Sequence, residues 1–149
     1  MEISTQGRYG VRALIDLAVN ANSGAVSLRE ISERQNISER YLEQIFAVLK
    51  KDGLIRSVRG AHGGYLLNRA PEEISMADIL KILEGKIAPE IQIENENSEE
   101  AVFQSVAQEV WLKLESRMQK LMESITLADL SQRVVEVQKE KGEGHMYYI

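Results

Sequence analysis

The sequence predicts a mainly α-helical fold: a winged helix-turn-helix with a small β-hairpin wing, followed by a long C-terminal dimerisation helix. Three observations carry this. Between Ser27 and Tyr65, two short helical patterns are separated by a four-residue turn. Two β-prone runs around a basic, glycine-rich tip follow at once. Later, Phe103, Ala107, Val110, Leu114, Met118, Leu121 and Ile125 step by 4, 3, 4, 4, 3 and 4, the spacing of a helix-packing seam. The first two features, in that order, are the layout of a module that lays one helix in the DNA major groove and a β-ribbon beside it.

Each element has a local reason. From Ser4 to Asn20 the apolar residues Tyr9, Val11, Leu14, Ile15, Leu17 and Ala18 keep a helical period, with Ser4 or Thr5 as cap and Asn22-Ser23-Gly24 as stop. Ser27 with Glu30 three residues on is a capping box, and Leu28 and Ile31 form that helix's buried face. Gln35-Asn36-Ile37 is the turn, where Asn36 tolerates a left-handed backbone. Ser38 caps the third helix, striped by Tyr41, Leu42, Ile45, Phe46 and Leu49. Asp52-Gly53 ends it, with Lys50 and Lys51 at the negative end of its dipole. Residues 55–58 and 65–67 are the strands, and Arg59 to Gly64 is the hairpin tip. Pro71 breaks the chain. Ser75 caps a fourth helix carrying Met76, Ile79, Leu80 and Leu83, which Gly85 and Pro89 end. The longest helix runs from about Ser98 to Ser124, roughly 40 Å at 1.5 Å per residue. Thr126 with Asp129 starts the last helix, and Gly142 and Gly144 are expected to release a tail, His145-Met146-Tyr147-Tyr148-Ile149.

The expected organisation is a DNA-binding domain at 1–88, an acidic linker at 89–100, dimerisation helices at 101–141 and a tail at 142–149. Composition fits it. The chain has 149 residues, enough for one domain or a small domain with an appendage, and 44% of them are hydrophobic. Cysteine is absent, which excludes disulfides and thiolate-held metals. No apolar run approaches membrane-spanning length and no leader opens the chain, which points to a soluble cytoplasmic protein. The net charge of −5 is divided unevenly. Residues 1–70 hold ten Lys/Arg against seven Asp/Glu, and residues 71–149 hold eight against sixteen, so the halves carry +3 and −8. A basic head on an acidic body suggests nucleic acid at one end, although such a split also arises by chance.

In a helix-turn-helix the first exposed residues of the second helix point at base edges. Here Ser38 starts that helix, and Glu39, Arg40, Glu43 and Gln44 follow on its outer side. Arg40 suits guanine or a phosphate, Gln44 suits the adenine edge, and Glu43 can accept from a cytosine amino group. Tyr41 is expected half in the core and half on phosphate. The plain alternative is a solvated face with helical charge pairs. On the wing, Arg59 can enter a narrow minor groove, Arg56 adds charge, Gly60 lets the backbone approach phosphates, and His62 touches phosphate or merely occupies a turn. A nucleotide-phosphate loop fits poorly, because such loops open a helix and a strand follows here.

The strings ISTQGRYGVRALIDLA, SERYLEQIFAVLKKDGLIRSVRGAHGGYLL and TLADL resemble the Rrf-type winged-helix repressors over most of the chain. The resemblance implies homodimers crossed through their long penultimate helix and bound to palindromic operators. It places Ser4, Thr5 and Arg8 on the DNA backbone, with a simple cap as the alternative for Ser4. The seam residues fit the dimer-crossing role, and Phe103 and Trp111 on the long helix read as dimer core rather than a ligand cage. Cluster-binding members carry three cysteines between the fourth helix and the long helix. Segment 89–103 has none, so no iron–sulfur cluster or other cofactor is expected, and its Glu and Asn residues read as a solvated linker rather than a hard-metal site.

Lack of cysteine and the final MYYI resemble the cysteine-less, cysteine-metabolism (CymR-like) branch, which answers to cysteine supply through a complex with cysteine synthase (O-acetylserine thiol-lyase). By that resemblance, Met146, Tyr147, Tyr148 and Ile149 are the partner-binding tail, although an apolar terminus also folds back on its own protein. An enzyme is not indicated: two histidines, no cysteine and no evident carboxylate pair assemble no nucleophile and base. The alternatives are a protein-interaction adaptor, which has no need of Arg40, Arg56 and Arg59 on one side, and an Rrf-type regulator of another pathway.

Overall fold

Ser4 stands in extended backbone and its hydroxyl accepts from the Gly7 amide, so the first helix, α1, starts at Thr5 and runs to Val19. This computed structural model describes residues 2–85 and 97–146. The remaining helices are α2 (Leu28–Gln35), α3 (Glu39–Lys51), α4 (Met76–Glu84), α5 (Glu99–Ser124) and α6 (Leu127–Met146). Strands β1 (Ile55–Val58) and β2 (Gly64–Leu67) pair antiparallel, with Ile55 opposite Leu67 and Val58 opposite Gly64. This is the expected winged helix-turn-helix with a long C-terminal helix.

Local chemistry sets most boundaries. Ser27 and Glu30 form both bonds of the capping box at α2. Asn36 leaves α2 at φ +54, the single left-handed non-glycine residue among those described. Ser38 accepts from the Tyr41 amide and starts α3. Leu42, Ile45, Phe46 and Leu49 then fall on one face, and all four are buried. Each contributes on the order of 1.5–3 kcal/mol by leaving water. They pack with Ala13, Leu14 and Leu17 of α1, Ile31 of α2, and Ile79 and Leu83 of α4.

Two expectations are corrected, and one turn is added. The first helix stops at Val19, not at Asn22-Ser23-Gly24. Asn20 caps it, its amide bonding to the Asp16 carbonyl at 2.9 Å, and a 3-10 turn covers Ala21–Ser23. A second 3-10 turn, Pro71–Glu73, was not foreseen. Gly142 and Gly144 do not end the helix: α6 runs through both to Met146, and residues 147–149 lie outside the described residues. Helix interiors tolerate glycine at roughly 1 kcal/mol each, so the two weaken the helix without ending it.

The hairpin gains a third backbone partner. Val26 and Tyr65 exchange hydrogen bonds of 3.0 and 2.8 Å, and the Tyr65 ring meets Phe46 edge-on at 5.0 Å. The distal helices are also tied to the head. Met76 N donates to Ile125 O and Leu127 N donates to Ile74 O, both at 2.8 Å. Leu127 is fully buried in the core, and α6 packs along α1.

Candidate nucleic-acid interface

With Leu42 and Ile45 turned into the core, α3 presents Glu39, Arg40, Glu43 and Gln44 outward, all exposed. Arg40 and Gln44 stand one turn apart in one row, and Glu39 and Glu43 in the next. The Ser38 hydroxyl accepts one bond at the helix cap and keeps its own O–H to donate. Tyr41 is half-buried, edge-on to Tyr9 of α1 at 5.8 Å, and the Arg12 guanidinium lies 5.4 Å from the centre of the Tyr9 ring. The start of α3 is therefore braced against α1 by an edge-to-face ring pair, with a cation–π contact beside it.

The wing stands beside it. Gly63 N donates to Gly60 O at 3.0 Å and closes the tip, with Gly60 at φ +109. Arg59, Gly60 and His62 are exposed there. Arg56 reaches Asn68 Oδ1 at 3.4 Å, and Lys50 Nζ donates to Ser57 Oγ at 2.9 Å, linking α3 to β1. Lys50 thus joins the end of α3 to the wing that carries Arg56 and Arg59, while Arg40 stands exposed at the start of the same helix.

At the start of α1 the arrangement is different. Thr5 and Arg8 are exposed, Arg8 donating to Thr5 Oγ1 at 3.2 Å. Ser4, however, gives both its hydroxyl and its backbone N–H to the Glu84 carboxylate at the end of α4. An anion already sits where a DNA phosphate was expected to sit. Sequence reasoning missed Glu84, since nothing local connects it to Ser4 eighty residues away.

It also missed the group that sets α2 against α1. Asp16 is 4% exposed. Its carboxylate accepts from Arg34 Nε at 2.9 Å, Arg34 Nη2 at 2.8 Å and Gln35 Nε2 at 2.9 Å. The hydrogen bond to Asp16 raises the Arg34 pKa above its ordinary value, against an opposing effect of burial. Arg12 adds a bond to the Gln35 carbonyl at the end of α2. The one available signal was a carboxylate inside the apolar run Leu14-Ile15-Asp16-Leu17.

The seam residues lie apart from this face. Phe103, Ala107, Val110, Leu114 and Leu121 fall within about 60° of arc on a helix of 3.6 residues per turn. Phe103 is 71% exposed, Leu121 60% and Leu114 55%, and Val110 and Trp111 are close to half. Met118 and Ile125 are partly buried. Met146 is the last residue of α6, and Tyr147, Tyr148 and Ile149 lie outside the described residues, as does most of the expected 89–100 linker. No group of three or more His, Asp or Glu side chains that could hold a metal occurs among the described residues. None of their helices is long and apolar enough to cross a membrane.

Comparison with known proteins agrees with this geometry. The model of the Rrf2 family, described as iron-dependent transcriptional regulators, matches residues 3–133. The transcriptional regulator CymR of Bacillus subtilis is 38% identical over 149 residues, all of both chains. Its solved structure, described as that of the global cysteine regulator, superposes with a TM-score of 0.78, covering 89% of this chain and 98% of that one. The solved structure of T. potens IscR is 43% identical with a TM-score of 0.75, covering 93% and 91%. These relatives carry the names of regulators, in agreement with the reading that the chain is not an enzyme. The donor set does not match an iron–sulfur cluster, because the chain has no cysteine to supply thiolates. On the family match and the full-length identity, the chain belongs to the Rrf2 family of winged helix-turn-helix transcriptional regulators.

Proposed function

We propose that this protein is a cytoplasmic, homodimeric repressor that binds a palindromic operator and governs cysteine or sulfur metabolism genes. The observation that carries the DNA reading is the exposed row Arg40–Gln44, on a helix locked by its buried face and joined at its end to the wing that carries Arg59. The rigid scaffold supplies position and the outer side chains supply base contacts. The test is a gel-shift titration on operator and random DNA. Gln44→Ala should cost about 1–3 kcal/mol on the operator and relax preference at one position. Equal loss on both DNAs would remove Gln44 from readout.

Dimerisation is supported by α5, where Ala101 is the one buried residue of 26 while an apolar row faces solvent. Two such helices side by side would cover the row, and operator symmetry would follow from the two-fold axis. Contact with cysteine supply is supported by similarity to CymR. In this reading cysteine synthase is the partner, met through Met146, Tyr147, Tyr148 and Ile149. Deleting Ile149 should abolish that association and spare operator affinity. In this reading the protein works without an iron–sulfur cluster, because thiolate ligands are missing, although its family is described as iron-dependent. Anaerobic reconstitution should give no charge-transfer band in the region of roughly 300–500 nm.

A further inference from the structure

A cleft of about 590 Å³ opens between α1, α2 and α6, away from the reading helix and the wing. That volume lies in the range of roughly 300–1,000 Å³ typical of small-molecule sites. We propose that it binds a small carboxylate with a short apolar body, as an effector of the regulator.

The lining is chemically mixed. Ile15 and Val19 of α1 and Val134 of α6 supply apolar groups. Arg12 and Arg34 supply cations, and Asp16 is the single acid in the lining. Two guanidiniums against one carboxylate leave a charge of +1. Asp16 is already saturated by Arg34, Gln35 and Asn20, so it has little capacity left to receive a cation. The arginines have donors to spare. A guanidinium offers five N–H groups. Among the described residues Arg34 uses two on Asp16, and Arg12 uses one on the Gln35 carbonyl. A planar carboxylate matches such forks, and the apolar lining groups suit an alkyl group rather than more charge.

The cleft also stands where occupancy would be felt. Gln35 is the last residue of α2 and leads through Asn36 into the cap of α3. Val134 belongs to α6, joined to α5 across Ile125 and Thr126. An occupant therefore touches the helix-turn-helix and the C-terminal helices together, and a ligand that prefers one arrangement of the two shifts operator affinity by that preference. This regulatory part rests on the DNA-binding reading.

The test titrates the full-length protein, with labelled isoleucine and valine methyls, with 4-methylpentanoate. Its neutral amide and inorganic phosphate serve as comparison probes. Saturable shifts are expected at Ile15, Val19 and Val134 with the carboxylate. Binding of the amide, or of Arg12→Gln to the carboxylate, should be about tenfold weaker. Val134→Trp fills the cleft from α6 and should abolish the shifts while keeping the helical circular dichroism. Absence of shifts at these methyls, equal binding of the amide or of phosphate, or indifference to Arg12→Gln would overturn the site. Operator affinity measured with and without 4-methylpentanoate should change in the wild type and not in Val134→Trp, and no change in either overturns the effector role. Failure to bind operator under any condition defeats the DNA reading instead, and the methyl titration still decides the site.

Discussion

Replacing Arg34 by Met should destabilise the protein by about 3 kcal/mol. Asp16 is buried, and Arg34 supplies two of its charge-assisted bonds, at 2.9 and 2.8 Å. Breaking a buried pair by removing one partner typically costs about 3–5 kcal/mol, because the remaining charge is stranded. The low end applies here for two reasons. Gln35 Nε2 still donates at 2.9 Å, and the Arg34 side chain is 40% exposed, so water reaches part of the vacated space. With a urea dependence of about 1–3 kcal/mol per molar, the unfolding midpoint should fall by roughly 1–3 M. Wild type and variant are compared at one protomer concentration, since association would otherwise shift the midpoint. The double variant Asp16→Leu/Arg34→Met leaves no stranded charge, so the two losses should fail to add by at least about 1 kcal/mol. A single-variant loss within about 0.5 kcal/mol, the scale of ordinary surface changes, would refute the reasoning, as would strict additivity.

Three further outcomes follow from other parts of the molecule. Gly64→Ala should lower the thermal midpoint more than Gly60→Ala: both positions have positive φ, but a Cβ at Gly64 would lie 2.4 Å from Val26 backbone atoms whereas Gly60 has open space. The loss should exceed about 1 kcal/mol, and equal midpoints would show that the Val26–Tyr65 contact yields freely. Leu114→Glu/Leu121→Glu should give a monomer by light scattering with its helical signal retained, and a surviving dimer would move the interface elsewhere. Asp78 has its pKa lowered, first by the backbone N–H of Ser75 and further by the Ser75 hydroxyl and Arg69. Its contribution is therefore present above the ordinary carboxylate value and lost as pH falls through the lowered one. Asp78→Asn should trail the wild type in urea midpoint at neutral pH, with the gap closing in acid; a gap independent of pH would dismiss the charge as its cause.

The readable part of this protein was the part made by neighbours in the chain. Caps and turns are bonds between residues three or four apart, so Ser27 with Glu30, Ser38, Ser75 and Asn36 announced their helices directly. The stripe from Leu42 to Leu49 told which side of α3 is buried, and so which of its residues are left to meet DNA. The tip from Arg59 to Gly64 was legible for the same reason. Tertiary structure alone decided what lies far apart in sequence. Glu84 occupies Ser4 across eighty residues, Asp16 gathers Arg34 and Gln35, and Leu127 closes a core begun at Ala13. Val26 joined the wing because Gly64 lets two backbones approach, a fact visible only once both are placed. Gly142 was misread because glycine is a local signal with a modest cost, and the helix around it continued despite that cost. Local bonds are written in adjacent letters; long-range ones depend on which surfaces the chain can bury together, which periodicity alone does not specify.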